Sequence, residues 1–168
     1  METQVIKHSR WTVARSLLVE ILSGGIALVF LHAVYLMATN WEKHLQRMHE
    51  QVFNEWWVGK MAWVIPAVYL LIAGAIAYRP LRRLALWVAF GYVVFLSTYI
   101  VLSMTKAFGF YPCSCIGLKT EGTFQDNLWF NAKLSITILL AIALDRRWLV
   151  MVGTYLMNRW MRRKRRVA

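Results

Sequence analysis

Apolar residues fall into four long runs, broken by short polar or basic segments. The first goes from about Val13 to Ala38, the second from about Trp57 to Tyr78, the third from about Leu84 to Met104 and the fourth from Leu128 to Leu144. At 1.5 Å per helical residue, the first run is long enough to cross a hydrocarbon core of about 30 Å with some tilt. A signal peptide competes for it, because Lys7, Arg10 and Arg15 form a basic leader. The apolar stretch exceeds the usual h-region of about 7–15 residues and no small-residue cleavage motif ends it, so an uncleaved first helix is expected. Trp56, Trp57 and Trp63 mark the start of the second span as interfacial anchors. Pro66 lies inside that span, which a membrane helix tolerates when neighbours satisfy the freed carbonyl. The fourth run crosses only if Lys133 snorkels to the interface. Together these patterns predict an all-α, four-transmembrane-helix bundle, with residues 1–168 forming one membrane domain.

The connections differ from one another. Residues 39–56 are mixed in charge and amphipathic, with Glu42, Lys43, His44, Arg47, His49, Glu50 and Glu55. Arg79-Pro80-Leu81-Arg82-Arg83 is tight and basic, while Lys106–Asn127 contains Gly109, Pro112, Gly117 and Gly122 and reads as a loop. Beyond Asp145, Arg147, Thr154, Asn158, Arg162 and Arg165 recur at roughly helical spacing opposite Trp148, Leu149, Val152, Leu156 and Trp160. Two forms fit residues 145–168: an amphipathic helix on an anionic membrane surface, or a prolonged fourth helix with a solvated basic tail.

Composition agrees with a bilayer. The 168 residues are 59% hydrophobic with nine Trp, yet the formal net charge is +12. In a soluble chain that charge would suggest nucleic acid. Here the Lys and Arg residues cluster at the ends of apolar runs, which orients a membrane protein, and no nucleic-acid partner is expected. The N-terminus, the second connection and the C-terminus carry the basic excess, so both termini are expected in the cytoplasm of a bacterial inner membrane. Cys113 and Cys115 then fall on the periplasmic side, where disulfides persist.

These are the only two cysteines, in Pro112-Cys113-Ser114-Cys115-Ile116-Gly117. Cα atoms two residues apart fall within disulfide range, and the small ring makes such a bond strained and readily reduced. Pro112 stiffens the approach, Gly117 permits an unusual backbone angle, and Lys106 or Lys119 would favour a thiolate. The pair therefore suits thiol–disulfide exchange, with Cys113 and Cys115 as the reacting residues. Other readings stay open: an inert structural bridge, a soft metal site completed by His44 and His49, or packing alone. No recognised histidine spacing supports the metal site.

Several ordered pieces carry a family likeness over about residues 16–144. They are Trp63-Val64-Ile65-Pro66, Gly91 with Thr98-Tyr99-Ile100, the Pro-Cys-Ser-Cys-Ile-Gly motif, and Trp129-Phe130-Asn131 opening the fourth helix. In this order the chain resembles the MauE branch of the MauE/DoxX group of redox-associated membrane proteins, in the form common in Bacteroidetes. The resemblance implies a four-helix membrane protein linked to thiol–disulfide chemistry. MauE itself is associated with maturation of methylamine dehydrogenase, a periplasmic enzyme rich in disulfides, and acts with a thioredoxin-like partner. By analogy of fold alone the arrangement is also similar to vitamin K epoxide reductase-like proteins, where a cysteine pair faces a quinone. Two positions depart from the family: Met37 stands where many relatives have Lys, and Tyr69 where they often have Glu. Losing two ionisable groups weakens any inherited proton relay.

Other polar residues have two readings each. Glu20, inside the first span, is either a functional carboxylate or a group paired with Arg15, Arg82 or Arg83. His32 lies in the outer half of the same helix, either beneath the cysteines or bonded to a neighbouring helix. Asn131 would cap the fourth helix or bond between helices. Gly24-Gly25 is expected to allow close helix packing. Two functions follow. One is a thiol–disulfide oxidoreductase, or an accessory to one, exchanging with a periplasmic thioredoxin-like protein or client, with a membrane quinone as possible acceptor. The alternative is a non-enzymatic accessory or scaffold subunit among other subunits of an envelope complex.

Overall fold

The computed structural model describes residues 2–51, 54–105, 118 and 123–145, with side chains described from residue 14 onward. Five helices make up the described elements: α1 (Glu2–Thr39), α2 (Trp41–His49), α3 (Glu55–Ala77), α4 (Arg82–Met104) and α5 (Phe124–Leu144). Four of them are long and apolar enough to cross a membrane, α1 through its Ala14–Thr39 portion. The chain is thus an all-helical, multi-pass membrane protein. The predicted spans agree within a few residues, the largest difference being α5, which starts at Phe124 rather than Leu128. The mixed-charge connection contains the short helix α2, and the basic segment after Asp145 lies outside the described residues.

Each span packs against two others in a closed ring: α1 on α3, α3 on α4, α4 on α5 and α5 back on α1, with α2 laid against α3. Neighbours run antiparallel. The centre is closed by Phe30, Ala33, Ala62, Tyr69, Leu86, Ala89, Val93, Ile138 and Ala141, all essentially without solvent contact. Alanines on every span let the backbones approach, which matters where lipid offers no hydrophobic drive for helices to associate. Tyr69 fills the remaining space, meeting Phe30 and Tyr92 edge-on at 5.5 Å between ring centroids. Only about a third of each span's residues are buried, 28–33%. The remainder includes Leu28, Leu71, Leu84, Phe95 and Ile136, exposed in a way that only a lipid or protein partner can cover.

Gly24 and Gly25 do not serve close packing, contrary to the expectation. Both face outward, and a methyl group added at either would meet nothing within 4 Å. Buried Ser23, Ile26 and Ala27 form the packed side of α1 instead. Lys133 is exposed on the outside of α5, as snorkelling requires. A lysine at the centre of a membrane helix costs about 2.5–3.5 kcal/mol.

One end of the bundle is held by arginines. Arg15 Nε donates to the Leu144 carbonyl at 2.7 Å, tying the start of the first span to the last turn of α5. Arg82 Nη2 donates to Glu20 Oε2 at 2.9 Å and its Nε to the Ile76 carbonyl at 3.2 Å. Arg79 meets the other Glu20 oxygen at 3.1 Å. Helix C-termini leave carbonyls without intrahelical donors, and these guanidinium groups supply them. Glu20 therefore sits in a structural ion cluster with Arg79 and Arg82 at this basic end.

Candidate functional site

The opposite end is where α1 and α4 finish and α3 and α5 begin. The segment carrying Cys113 and Cys115 therefore leaves and re-enters the bundle here, between Thr105 and Thr123. Cys113, Cys115, Pro112, Gly117, Lys106 and Lys119 lie outside the described residues.

The entry into α5 is rigidly specified. Thr123 is the N-cap: its hydroxyl accepts from the Asp126 amide at 3.2 Å, and Asp126 Oδ2 accepts from the Thr123 amide at 3.0 Å. This reciprocal capping box satisfies two amides that a helix start leaves free. The Thr-x-x-Asp spacing was visible in the sequence, and of the two readings of Asn131, a cap or a bond between helices, the cap falls to Thr123 instead. Between the cysteines and this cap, Leu118 is buried within the core cluster.

A second clasp forms around α2. Pro66 has no amide hydrogen, so the Ala62 carbonyl one turn earlier lacks its helical donor. His44, buried on α2, donates Nε2–H to that carbonyl at 3.2 Å. The carbonyl type of the partner fixes the tautomer, with hydrogen on Nε2. Burial lowers the His44 pKa from its ordinary value; the Ala62 bond partly opposes this, and Arg47 adds to the lowering. Trp41 packs its ring 4.5 Å from Trp63, and Met48 on α2 is buried. Just past α2, Gln51 is held by Tyr99, whose hydroxyl donates to Gln51 Oε1 at 2.7 Å, while Gln51 Nε2 donates to the Arg47 carbonyl at 3.3 Å. One helical turn beyond Tyr99, buried Ser103 donates to the Tyr99 carbonyl at 2.9 Å. These bonds fasten α2 to both α3 and α4.

His44 is thus a fastener with its Nε2 engaged, whereas His49 is exposed. Among the described residues no group of three or more His, Cys, Asp or Glu side chains is placed to hold a metal ion. Trp129 is exposed on the outer surface, and His32 is likewise exposed, stacked on Tyr35 at 6.5 Å and not aimed into the bundle. The two family departures both face the core, Met37 at 2% and Tyr69 at 0% exposure.

Of the polar residues that the sequence singles out within the spans, Asn131 is brought to the inside. Seven residues into α5, about 10 Å from its start, it is fully buried, and both its amide nitrogen and its oxygen lack hydrogen-bond partners among the described residues. Asn127, one turn closer to the cysteine segment, is buried on the same face. Leaving a buried polar group unsatisfied costs roughly 1–3 kcal/mol.

Four antiparallel spans, a basic end tied by arginines and a polar-lined opposite end define a small multi-pass membrane protein. The family model described as methylamine utilisation protein MauE matches residues 15–144, so the chain belongs to the MauE family. No curated protein and no solved structure matches it.

Proposed function

We propose that this MauE-family protein performs thiol–disulfide exchange for a periplasmic partner through Cys113 and Cys115. The observation that carries the reading is topological. The cysteine-bearing segment is tethered by the end of α4 and the capped start of α5, at the end opposite the arginine cluster. With the basic end in the cytoplasm, as the retention of positive charge there favours, this segment faces the periplasm.

In the oxidising direction, a thiolate of the partner attacks one sulfur of the Cys113–Cys115 disulfide. A mixed disulfide forms as the other sulfur leaves as thiolate. The partner's second thiolate then attacks the mixed disulfide, leaving the partner oxidised and this pair reduced by two electrons and two protons. One cysteine pair cannot pass electrons to a second pair within the chain. A diffusible two-electron acceptor of the membrane quinone class restores the disulfide, taking both electrons and both protons to become quinol. A periplasmic thioredoxin-like protein is the alternative exchange partner, with the electron direction set by its potential.

The test is alkylation of free thiols in intact cells, combined with Cys113→Ser and Cys115→Ser variants. Impermeant maleimide is expected to label the reduced pair from outside, and each variant to lower maturation of the disulfide-bearing partner by at least roughly tenfold. Labelling only in inverted vesicles, or full maturation with both serines, refutes the proposal.

A further inference from the structure

Buried polar side chains are unevenly distributed among the described residues. His44, Gln51, Ser103, Asn127 and Asn131 all belong to the cysteine end. Away from that end the interior adds Ser23, whose hydroxyl donates to the Val19 carbonyl of its own helix, and the Tyr69 hydroxyl, whose ring lies against Tyr92. Toward the basic end the packed face of α5 continues as Leu134, Ile138 and Ala141, which offer no polar side chain.

Within the polar group, His44, Gln51 and Ser103 have the bonds already described. Asn131 differs. Its side chain has no solvent contact, and among the described residues neither Nδ2 nor Oδ1 has a partner. An amide carries two N–H donors and an oxygen with two lone pairs. Buried polar side-chain atoms are, in the large majority, bonded to protein or to ordered water. With both atoms of Asn131 open, the matching ligand must accept and donate at once. Its depth is small. Exposed Gln125, Asp126 and Trp129 put the membrane surface near Leu128. Asn131 lies three residues further along α5, about 4.5 Å deeper. Buried Asn127 is one turn back toward the surface on the same face.

We infer that Asn131 is the floor of a water site that enters the bundle from the cysteine end and stops there. Water accepts from Nδ2 and donates to Oδ1, and each molecule takes only about 30 Å³. A quinone ring needs a far wider space than a side chain without solvent contact adjoins. Asn127 supplies a second polar group on the way in, and the apolar Leu134, Ile138 and Ala141 end the path. Such a blind site holds exchangeable protons inside the outer part of the bundle without opening a leak across it. The inference stands independently of the cysteine chemistry.

The test is anaerobic radiolytic hydroxyl labelling of the full chain in lipid nanodiscs, in heavy-oxygen water, read residue by residue by mass spectrometry. Radicals born from a bound water oxidise the side chains beside it. Leu134, three residues from Asn131 on the packed face, is the reporter, and Ile138, two turns from Asn131 on that face, is the control. Wild-type protein is expected to take up heavy oxygen at Leu134 and not at Ile138. Asn131→Leu is expected to abolish the uptake, and Asn131→Ser, which keeps a polar anchor, to retain it. Absence of uptake at Leu134 in the wild type overturns the inference whatever the variants do. Uptake at Ile138 equal to that at Leu134, uptake that survives Asn131→Leu, or its loss in a folded Asn131→Ser protein overturns it as well.

Discussion

At the basic end, charged side chains close the bundle: Arg15, Arg79 and Arg82 answer one carboxylate and two helix carbonyls. At the cysteine end, mostly neutral polar groups do the same work, with His44 on Ala62 and Tyr99 on Gln51, and one carboxylate, Asp126, closes the cap with Thr123 at the start of α5. The first end is a set of bonds from guanidinium groups to a carboxylate and to helix carbonyls. The second relies mainly on bonds between neutral groups, one of them titratable, and among the described residues leaves Asn131 without a partner. Among the described residues, the arginine-held closures lie at the end away from the candidate chemistry, the arrangement expected where function draws on the less stable parts of a fold.

Four measurements break or sharpen that contrast. Arg82→Ala removes bonds to Glu20 and to the Ile76 carbonyl together. It is expected to lower bundle stability by about 2 kcal/mol in a reversible detergent-unfolding assay, since bonds to charged groups contribute about 1.5–3 kcal/mol. A loss no larger than that from the cysteine-end variants would erase the asymmetry. His44→Leu is expected to cost about 1–2 kcal/mol by stranding the Ala62 carbonyl. Pro66→Ala restores the backbone donor to that carbonyl, so the same histidine change in that background is expected to cost less. A double-mutant cycle with no coupling would show that His44 merely fills space. Thr123→Ala is expected to cost about 1 kcal/mol through loss of the cap, read from the same unfolding curves. The smallest effect is that of pH. Burial holds the folded His44 pKa below its ordinary value of 6.5, so the undocked state binds protons more readily. Docking of α2 is complete above about pH 6.5 and weakens as pH falls from there toward the folded pKa. Amide protection in α2, corrected for intrinsic exchange, is expected to fall between about pH 7.5 and about pH 5.5 in the wild type and to stay level in His44→Leu.

Asn131 and Lys133 show why part of the site was legible in the sequence and part was not. Both are polar residues in an apolar run, and both stood out for that reason. One fully faces the core and the other faces outward, a difference set by about 160° of helical rotation that hydropathy averages away. The same limit explains Gly24 and Gly25, whose small size suggested an interface although α1 packs through Ser23, Ile26 and Ala27. Glu20 was readable as an arginine-paired group because basic residues flank the right spans, yet Arg79 joined Arg82 only through the geometry of the turn between α3 and α4. Thr123 and Asp126 were locally specified by their spacing, a signal that the apolar boundary at Leu128 obscured.

By itself the sequence determined that four segments cross a bilayer, that α2 is amphipathic, and that Cys113 and Cys115 share one connection. Each is a local property of transfer free energy and chain order. Only the tertiary structure decided that His44 supplies the bond that Pro66 removes, that Asn131 is buried without a partner among the described residues, and that Lys133 looks outward. These depend on how far each helix is rotated about its own axis, and that rotation is chosen by side-chain packing between spans far apart in the chain.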